Sequence, residues 1–588
     1  MGYAKWLEQF LPFGIPLTLA FYYLLYRLLK VLLVNSRRAP ESECPVAAPV
    51  RAVEIVVAAA AYIVLTSVAF WPYLGSFSTA IIGPPEDNLV FFWNLHWFSH
   101  SLGSDAGFSF TNLIFYPEGV DLAYHSLSWY NLALSVPLRS LFGPVATYNL
   151  LILHSFVLSG IGAFLLIRDL IDSMPAALVG GYVFAFSASH VAQALHHLNI
   201  ASVQFLPFLV VYALRSMKQG GWRNVLPAAL FFLLGSLASW TYLVIQTYVL
   251  LGLYACEAFR RRQIVLWAPL RNLGLIGGIT LLVLSPWLFR LISVATTSPA
   301  AKGAGHTVFG ADLMAFLTPA SVHPVGSLDF MQNLAAHFTG NPWEATVYLG
   351  IVPLVITLMT VGRLPGKGYP ILALAVVFLL LSLGPVLRVF GHPLPFLLPE
   401  AALAAIPGAN FVRVPARFAI VGSLGLAVLS SLSLWTLYRQ MRFGRYTRAV
   451  LVLLVACLAV DLFPRVSART PVSLPACYEV LTEQHHPRAI LDLPGGYVEA
   501  NTYMMYQTMH GLPIVQGQVA RKLKPTLIDR LDTLDLIHQR EQLASSGVTH
   551  IVMHKNFLEA EASATIERYS NVYDLVYDDS SHTVFVVE

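Results

Sequence analysis

Long apolar runs broken by short polar stretches fill most of this chain. A membrane-spanning helix needs about 20 mostly apolar residues, and about twelve such runs can be placed. They are centred near residues 22, 63, 158, 183, 208, 232, 249, 278, 354, 378, 426 and 456. The runs at 232 and 249 are split only by Ser236-Leu-Ala-Ser-Trp-Thr-Tyr242, which predicts a tight hairpin or one broken helix. The first run, Leu11 to Val34, is longer than a signal-peptide core, carries Arg27 and Lys30, and lacks a small-residue cleavage pattern. It reads as a retained anchor.

The basic residues test this count. Arg37, Arg38 and Arg51 follow the first run, Arg168 the third, Lys218 and Arg223 the fifth, and Arg260, Arg261 and Arg262 the seventh. Arg363 and Lys367 follow the ninth, and Arg439, Arg442, Arg445 and Arg448 the eleventh. Each cluster follows an odd-numbered run, so twelve spans and the positive-inside rule agree, with these loops cytoplasmic and the N-terminus outside. The expected organisation is an anchor and cytoplasmic loop over 1–50 and a transmembrane domain over 51–464, with outer loops 73–147, 189–200, 287–344 and 386–414. An extracytoplasmic domain over 465–588 follows. This last segment changes to ordinary polar sequence, with strand-like runs at Arg488–Leu493 and Thr549–His554, a helix-like stretch over Leu527–Leu543, and a hairpin pairing Val572–Tyr577 with Thr583–Glu588. It reads as a small α/β domain whose thin core must lean on the membrane domain.

Composition excludes a soluble protein. Of 588 residues, 56% are hydrophobic and 12% charged, with a mean hydropathy of +0.64, whereas soluble domains carry about 25% charge. The fold class is an α-helical polytopic membrane protein, placed in the cytoplasmic (inner) membrane. A net charge of +4, confined to short clusters, argues against nucleic acid as a partner. Cys44, Cys256, Cys457 and Cys477 have no CxxC or regular spacing, so neither a disulfide framework nor a zinc site follows.

Acids and histidines concentrate in the loops expected outside, above all between Gly83 and Asn131, where Glu86, Asp87, Asp105, Glu118, Asp121 and His125 lie among aromatic stretches. Pro84-Pro85-Glu86-Asp87-Asn88 precedes an aromatic run, Leu89 to Leu102, expected to be an interfacial helix with Phe91, Phe92, Trp93, Trp97 and Phe98 at headgroup level. Asp87 or a neighbour can cap that helix. An outward carboxylate there can also act as a general base or a metal ligand. Adjacent Glu86 and Asp87 are expected to raise each other's pKa, which favours a base.

His125 reads either as a hydrogen-bonded structural residue or as a direct participant. His190, His196, His197 and Asn199 lie in one short loop. On a helix His190 and His197 would share a face about 10 Å apart, which suits hydrogen bonding to a phosphate or sugar hydroxyl better than zinc. His96 and His100 have i, i+4 spacing but no acid between them, and read as two histidines on a wet helix face. Arg413 and Arg417 straddle Pro415, so both can reach one anion or snorkel to headgroups. Asp312 lies in a further outer segment that could close over a groove. No Walker, Rossmann or GxSxG motif occurs.

A span leading into an acidic outer loop, many further spans and an outer C-terminal domain resemble the GT-C superfamily of integral membrane glycosyltransferases. The likeness is closest to the bacterial YfhO-like and uncharacterised GT-C-like membrane proteins, through DNLVFFWNLHW, NLIFYPEGVDLAYHSLSWYN, TYNLLILHSFVLSGIGAFLL, HHLNIASVQFLPF and VRVPARF, over about residues 50 to 520. The resemblance implies transfer of a sugar from a polyprenyl-phosphate donor to a lipid, glycan or protein acceptor on the outer face, in contact with membrane lipids and open to membrane-protein partners. It implies Asp87 as base, with Glu86 second, and His196, His197, Arg413 and Arg417 as groups that neutralise the leaving phosphate. His125 and Asn199 join them as substrate-binding candidates. Some relatives use a divalent cation, Mg or Mn, and others none; the chain has ligands for one without requiring it. Two other readings remain open: a non-catalytic subunit of this fold in a larger membrane assembly, and a lipid or glycan transporter. Nearly charge-free spans without visible repeats favour surface chemistry over passage.

Overall fold

The structure, a computed structural model, describes residues 2–38, 49–103, 107–297, 308–404, 412–440, 445–484 and 487–587. Cys44, Asp105, Arg442 and Glu588, named above, lie outside these residues. The twelve apolar runs all fall on helices. Among the described residues 7 helices are long and apolar enough to cross a membrane, and an eighth crossing results if Met174–Ala185 and Ala188–His196, bent by 43°, count as one. Trp222–Ala238, Ile351–Arg363, Gly368–Ser382 and Ala449–Asp461 are shorter apolar helices. The chain is a multi-pass membrane protein. Runs 232 and 249 are two helices, Trp222–Ala238 and Trp240–Arg261, parted at Ser239, whose extended backbone (φ −157°, ψ 137°) interrupts the helical ladder. Its hydroxyl accepts the Thr241 N–H at 3.3 Å and restarts the second helix.

The helices pack through small residues, because lipid supplies no hydrophobic drive for their association. A Cβ on Gly181 would lie 1.8 Å from the Tyr62 hydroxyl, and that hydroxyl donates to Leu178 O at 3.0 Å. The helix Ala52–Ala69 thereby closes onto Met174–Ala185. Pro415–Gln440 is almost wholly buried at the centre of the bundle, whereas Pro16–Asn35 and Trp267–Val294 expose most of their apolar surface.

Residues from 465 on add a four-stranded sheet in the order Ile490–Leu493, His550–His554, His582–Val586, Asp574–Asp578. The first pair is parallel and the others antiparallel. The strand-like runs and the terminal hairpin appear where alternation predicts them. The Leu527–Leu543 stretch splits into a 3-10 turn, Leu527–Asp529, and a helix, Leu536–Ser545. The sheet has a small core of its own around Leu491, Leu543, Ile551 and Phe585, but Tyr503, Met504, Ile514 and Val552 belong to the core of the bundle. Two further ties hold this unit on the bundle. Strand Ala80–Ile82 pairs antiparallel with Arg469–Pro471, and Trp93 Nε1 donates to Gln507 Oε1 at 2.8 Å.

That seat corrects one expectation. The aromatic helix exists, over Asp87–Ser101, but Phe91, Phe92, Trp93 and Trp97 are buried rather than held at headgroup level. Helix Tyr497–His510 packs across it, so protein and not lipid covers the aromatic face.

Candidate functional site

Gly83 places the acidic loop. At φ +109° it holds a conformation that side chains rarely adopt, and a Cβ there would lie 2.1 Å from Leu195 O. The loop therefore runs tight against the end of helix Ala188–His196. Its N–H donates to Ala468 O at 2.9 Å, and its carbonyl accepts the Thr470 hydroxyl at 2.8 Å. Helix Asp87–Ser101 then begins without a carboxylate cap: Glu86 is the capping residue but makes no side-chain cap bond. Asn88 Oδ1 takes the Glu86 and Leu89 N–H groups, each at 3.0 Å. Both acids are left to face the bundle end.

They diverge. Asp87 Oδ2 pairs with His197 Nε2 at 2.9 Å, and Asp87 Oδ1 accepts the hydroxyl of Tyr497, which opens helix Tyr497–His510 of the C-terminal unit. Glu86 Oε2 accepts Trp343 Nε1 at 2.7 Å. His196 stacks on Trp343 with ring centroids 3.5 Å apart. Its Nδ1 lies 3.3 Å from Glu86 Oε2, off line for a hydrogen bond, so both of its buried ring nitrogens lack hydrogen-bond partners.

Behind His197 lies a second, buried layer. His197 Nδ1 meets Gln193 Oε1 at 2.8 Å, Gln193 Nε2 donates to Glu344 Oε2 at 3.0 Å, and Arg417 Nε donates to Glu344 Oε1 at 3.1 Å. Glu344, engaged by Arg417, can only accept, so the Gln193 amide must turn its N–H to Glu344 and its oxygen to His197. His197 Nδ1 then faces an acceptor while Nε2 faces a carboxylate, so both ring nitrogens carry hydrogens. The cluster is two carboxylates and two cations in alternation, Asp87, His197, Glu344 and Arg417, with charge balanced.

Electrostatics follow from these contacts. Burial pushes the Asp87 carboxyl up, but the His197 hydrogen bond and charge, with the Tyr497 hydrogen bond, outweigh it and hold the group below its ordinary value. The expected raising of Asp87 by its neighbour is thus overturned: the two side chains turn to different partners, and Asp87 answers to His197. Burial pushes Glu344 up too, but the Arg417 and His197 charges hold it below the usual range. Burial, then the Asp87 charge, pushes the Tyr497 phenol up, so it remains a donor.

The remaining residues fall around this cluster. Arg417 is committed to Glu344, whereas Arg413 is exposed and within electrostatic reach of Tyr497 and Arg521. The two arginines therefore do not converge on one anion. Asn199 sits behind the cluster, its Nδ2 3.4 Å from Ser239 Oγ and its Oδ1 unpartnered. His190 is held in the bundle by Ala185 O, Ala201 O and Ser155, and Asp312 caps a turn and binds the Phe390 and Gly391 N–H groups. His125 accepts the Ala520 N–H at Nδ1 (3.2 Å), so its Nε2 donates to Asn94 Oδ1 at 2.8 Å. Burial pushes it down to about 4. It lines a cavity of about 460 Å³ with Phe98, Trp129, Trp240 and Trp287. Among the described residues no three His, Cys, Asp or Glu side chains are disposed to hold a metal ion. Tyr497, Glu344, Gln193 and Trp343 were not singled out by sequence; a Trp-Glu pair ending an aromatic outer segment was the one available signal.

The geometry can be set beside known proteins. No curated protein sequence matches the chain. Among solved structures it is similar to the arabinofuranosyltransferase AftD from Mycobacteria, at 12% identity and TM-score 0.56, covering 92% of this chain and 40% of that one. It thus spans well under half the length of that protein. It is also similar to the apo oligosaccharyltransferase of Archaeoglobus fulgidus, at 11% identity and TM-score 0.50, covering 91% of this chain and 74% of that one. ArnT from Cupriavidus metallidurans bound to undecaprenyl phosphate matches at 12% identity and TM-score 0.47, covering 91% and 98%. The fold is that of the GT-C glycosyltransferases. Over residues 55–463, most of its length, the chain matches the family described as Domain of unknown function (DUF6311), and it belongs to that family.

Proposed function

We propose that this protein is a membrane glycosyltransferase that moves a sugar from a polyprenyl-phosphate donor to a lipid, glycan or protein acceptor. The reaction would take place on the outer face of the cytoplasmic membrane, where the C-terminal unit lies. The observation that carries this reading is Asp87: a carboxylate at the bundle end, its side chain 28% exposed, fixed by a doubly protonated His197 and by Tyr497. In the proposed reaction the acceptor hydroxyl attacks the anomeric carbon as the bond from that carbon to the phosphate oxygen breaks. Asp87 orients the hydroxyl and takes its proton late, because a hydroxyl bonded to the anomeric carbon is acidic enough for a weak base. Exposed Arg413 beside Tyr497 stabilises the departing phosphate. The apolar cavity around His125 and Trp240 suits the isoprenoid chain. No step is assigned to a divalent cation.

A second reading is favoured by the occupation of both Asp87 oxygens, which suits a structural tie in a non-catalytic subunit of this fold. Membranes carrying wild type or Asp87→Asn, supplied with radiolabelled polyprenyl-phosphate sugars and endogenous acceptors, separate the two. Transfer by wild type that vanishes in the folded variant supports the enzyme. Transfer surviving in Asp87→Asn rejects this site. No transfer by either protein favours the subunit.

A further inference from the structure

A second cavity, of about 450 Å³, lies between helices Phe205–Gln219, Trp240–Arg261, Gly368–Ser382 and Ala419–Gln440. Val421, about one turn beyond Arg417, lines its near end, and the cavity then runs away from Asp87. Its far end is lined by Lys218, Lys367, Arg260 and Glu257. From Val249 to Arg260 the wall covers twelve helical residues, a rise of about 16 Å. Leu166, Val249, Leu253, Leu374 and Val428 make that wall apolar. The space is a slot for a hydrocarbon chain ending among cations.

The charges at that end do not cancel. Glu257 is held by Arg260 at 2.9 Å and by Arg261 at 2.6 Å, and Asp169, the other nearby acid, is held by Arg215 at 2.7 Å. Lys218 and Lys367 lie within electrostatic reach of each other and have no ion-pair or hydrogen-bond partner among the described residues. Both lysines are exposed, yet two like charges at the mouth of an apolar slot repel, and with both nearby acids already held they lack a counter-charge from the protein. A phosphate between them supplies it.

We propose that this cavity binds an anionic glycerophospholipid, with its phosphate between Lys218 and Lys367 and one acyl chain along the apolar wall. The site is separate from the Asp87 cluster and stands whether or not the transferase reading holds. It gives the bundle a fixed lipid at the end opposite the C-terminal unit.

The test uses the full-length protein in detergent, with its melting temperature followed during titration with phosphatidylglycerol or phosphatidylcholine. Phosphatidylglycerol is expected to stabilise the wild type at lower concentration than phosphatidylcholine. Lys218→Gln/Lys367→Gln is expected to weaken the phosphatidylglycerol effect roughly thirtyfold, at about fivefold per lysine near an anionic lipid surface. Arg223→Gln, a basic residue outside the cavity, is expected to change nothing. Leu374→Trp, which fills the slot and keeps both lysines, is expected to abolish the phosphatidylglycerol effect and gives an independent reading should the double variant misfold. Equal stabilisation by the two lipids, an undiminished preference in both cavity variants, an equal shift from inorganic phosphate alone, or tighter binding of undecaprenyl phosphate would each overturn the proposal.

Discussion

Removing His197 should move the acid limb of catalysis. Its Nε2 gives Asp87 a charge-assisted hydrogen bond at 2.9 Å, between side chains exposed by 10% and 28%. Such a bond is worth about 1.5 to 3 kcal/mol, and one pKa unit corresponds to about 1.4 kcal/mol. His197→Ala should therefore raise the Asp87 pKa. The direction follows from the cause: the contact favours the ionised carboxyl, so its loss favours the neutral one. If Asp87 must be ionised for transfer, kcat/KM for the wild type stays flat to below the usual carboxylate range, and the variant loses activity at a higher pH than the wild type. His197→Gln, whose amide restores a neutral donor, should fall between. The assay is sugar transfer in membranes at saturating acceptor across the acid range, with protein amount and folding checked at each pH. An acid limb that stays in place in His197→Ala, while Asp87→Asn is inactive, would refute the coupling drawn between these two side chains.

Other expectations rest on separate contacts. Tyr497→Phe should shift the same limb upward by less than His197→Ala, since a neutral hydroxyl donor is worth about 1 kcal/mol; an unchanged profile would remove the C-terminal unit from the chemistry. Glu344→Gln leaves the Arg417 guanidinium without its carboxylate in a buried layer and should cost about 3 to 5 kcal/mol, read as a lowered melting temperature that Arg417→Met partly restores. His125 is neutral in the fold, its pKa lowered from 6.5 to about 4 by burial. Its contribution of about 3 kcal/mol is present above pH 6.5 and fades as pH falls toward 4; His125→Gln should flatten the stability profile over that window. Trp93→Phe should cost about 1 to 2 kcal/mol by stranding Gln507 under the C-terminal unit, measurable as faster proteolysis between bundle and tail.

The helices were legible in the sequence because bilayer thickness and hydropathy are local properties: each run centre, from 22 to 456, sits on a helix. Glu86, Asp87, His196 and His197 were legible for a similar reason, as polar residues crowded into short loops of an apolar chain. Their partners were not. Tyr497 meets Asp87 across 410 residues and Trp343 meets Glu86 across 257, and no periodicity encodes such pairs. Phe91, Trp93 and Trp97 were misplaced because an aromatic stripe between wet and apolar surroundings looks the same whether lipid headgroups or a folded unit lies over it. The raised Asp87 carboxyl failed likewise: neighbours in sequence repel only if their side chains stay together, and Trp343 draws Glu86 away from Asp87.

The pairing of Ala80–Ile82 with Arg469–Pro471 bears on how the protein is made. Ribosomes release the first strand long before the second, so during most of translation Gly83 has no Ala468 to bond and Asp87 has no Tyr497. A nascent chain carries the acidic loop through synthesis of the later spans with that loop unfinished. Assembly of the site becomes the last event of biogenesis, and a prematurely terminated chain inserts into the bilayer without it.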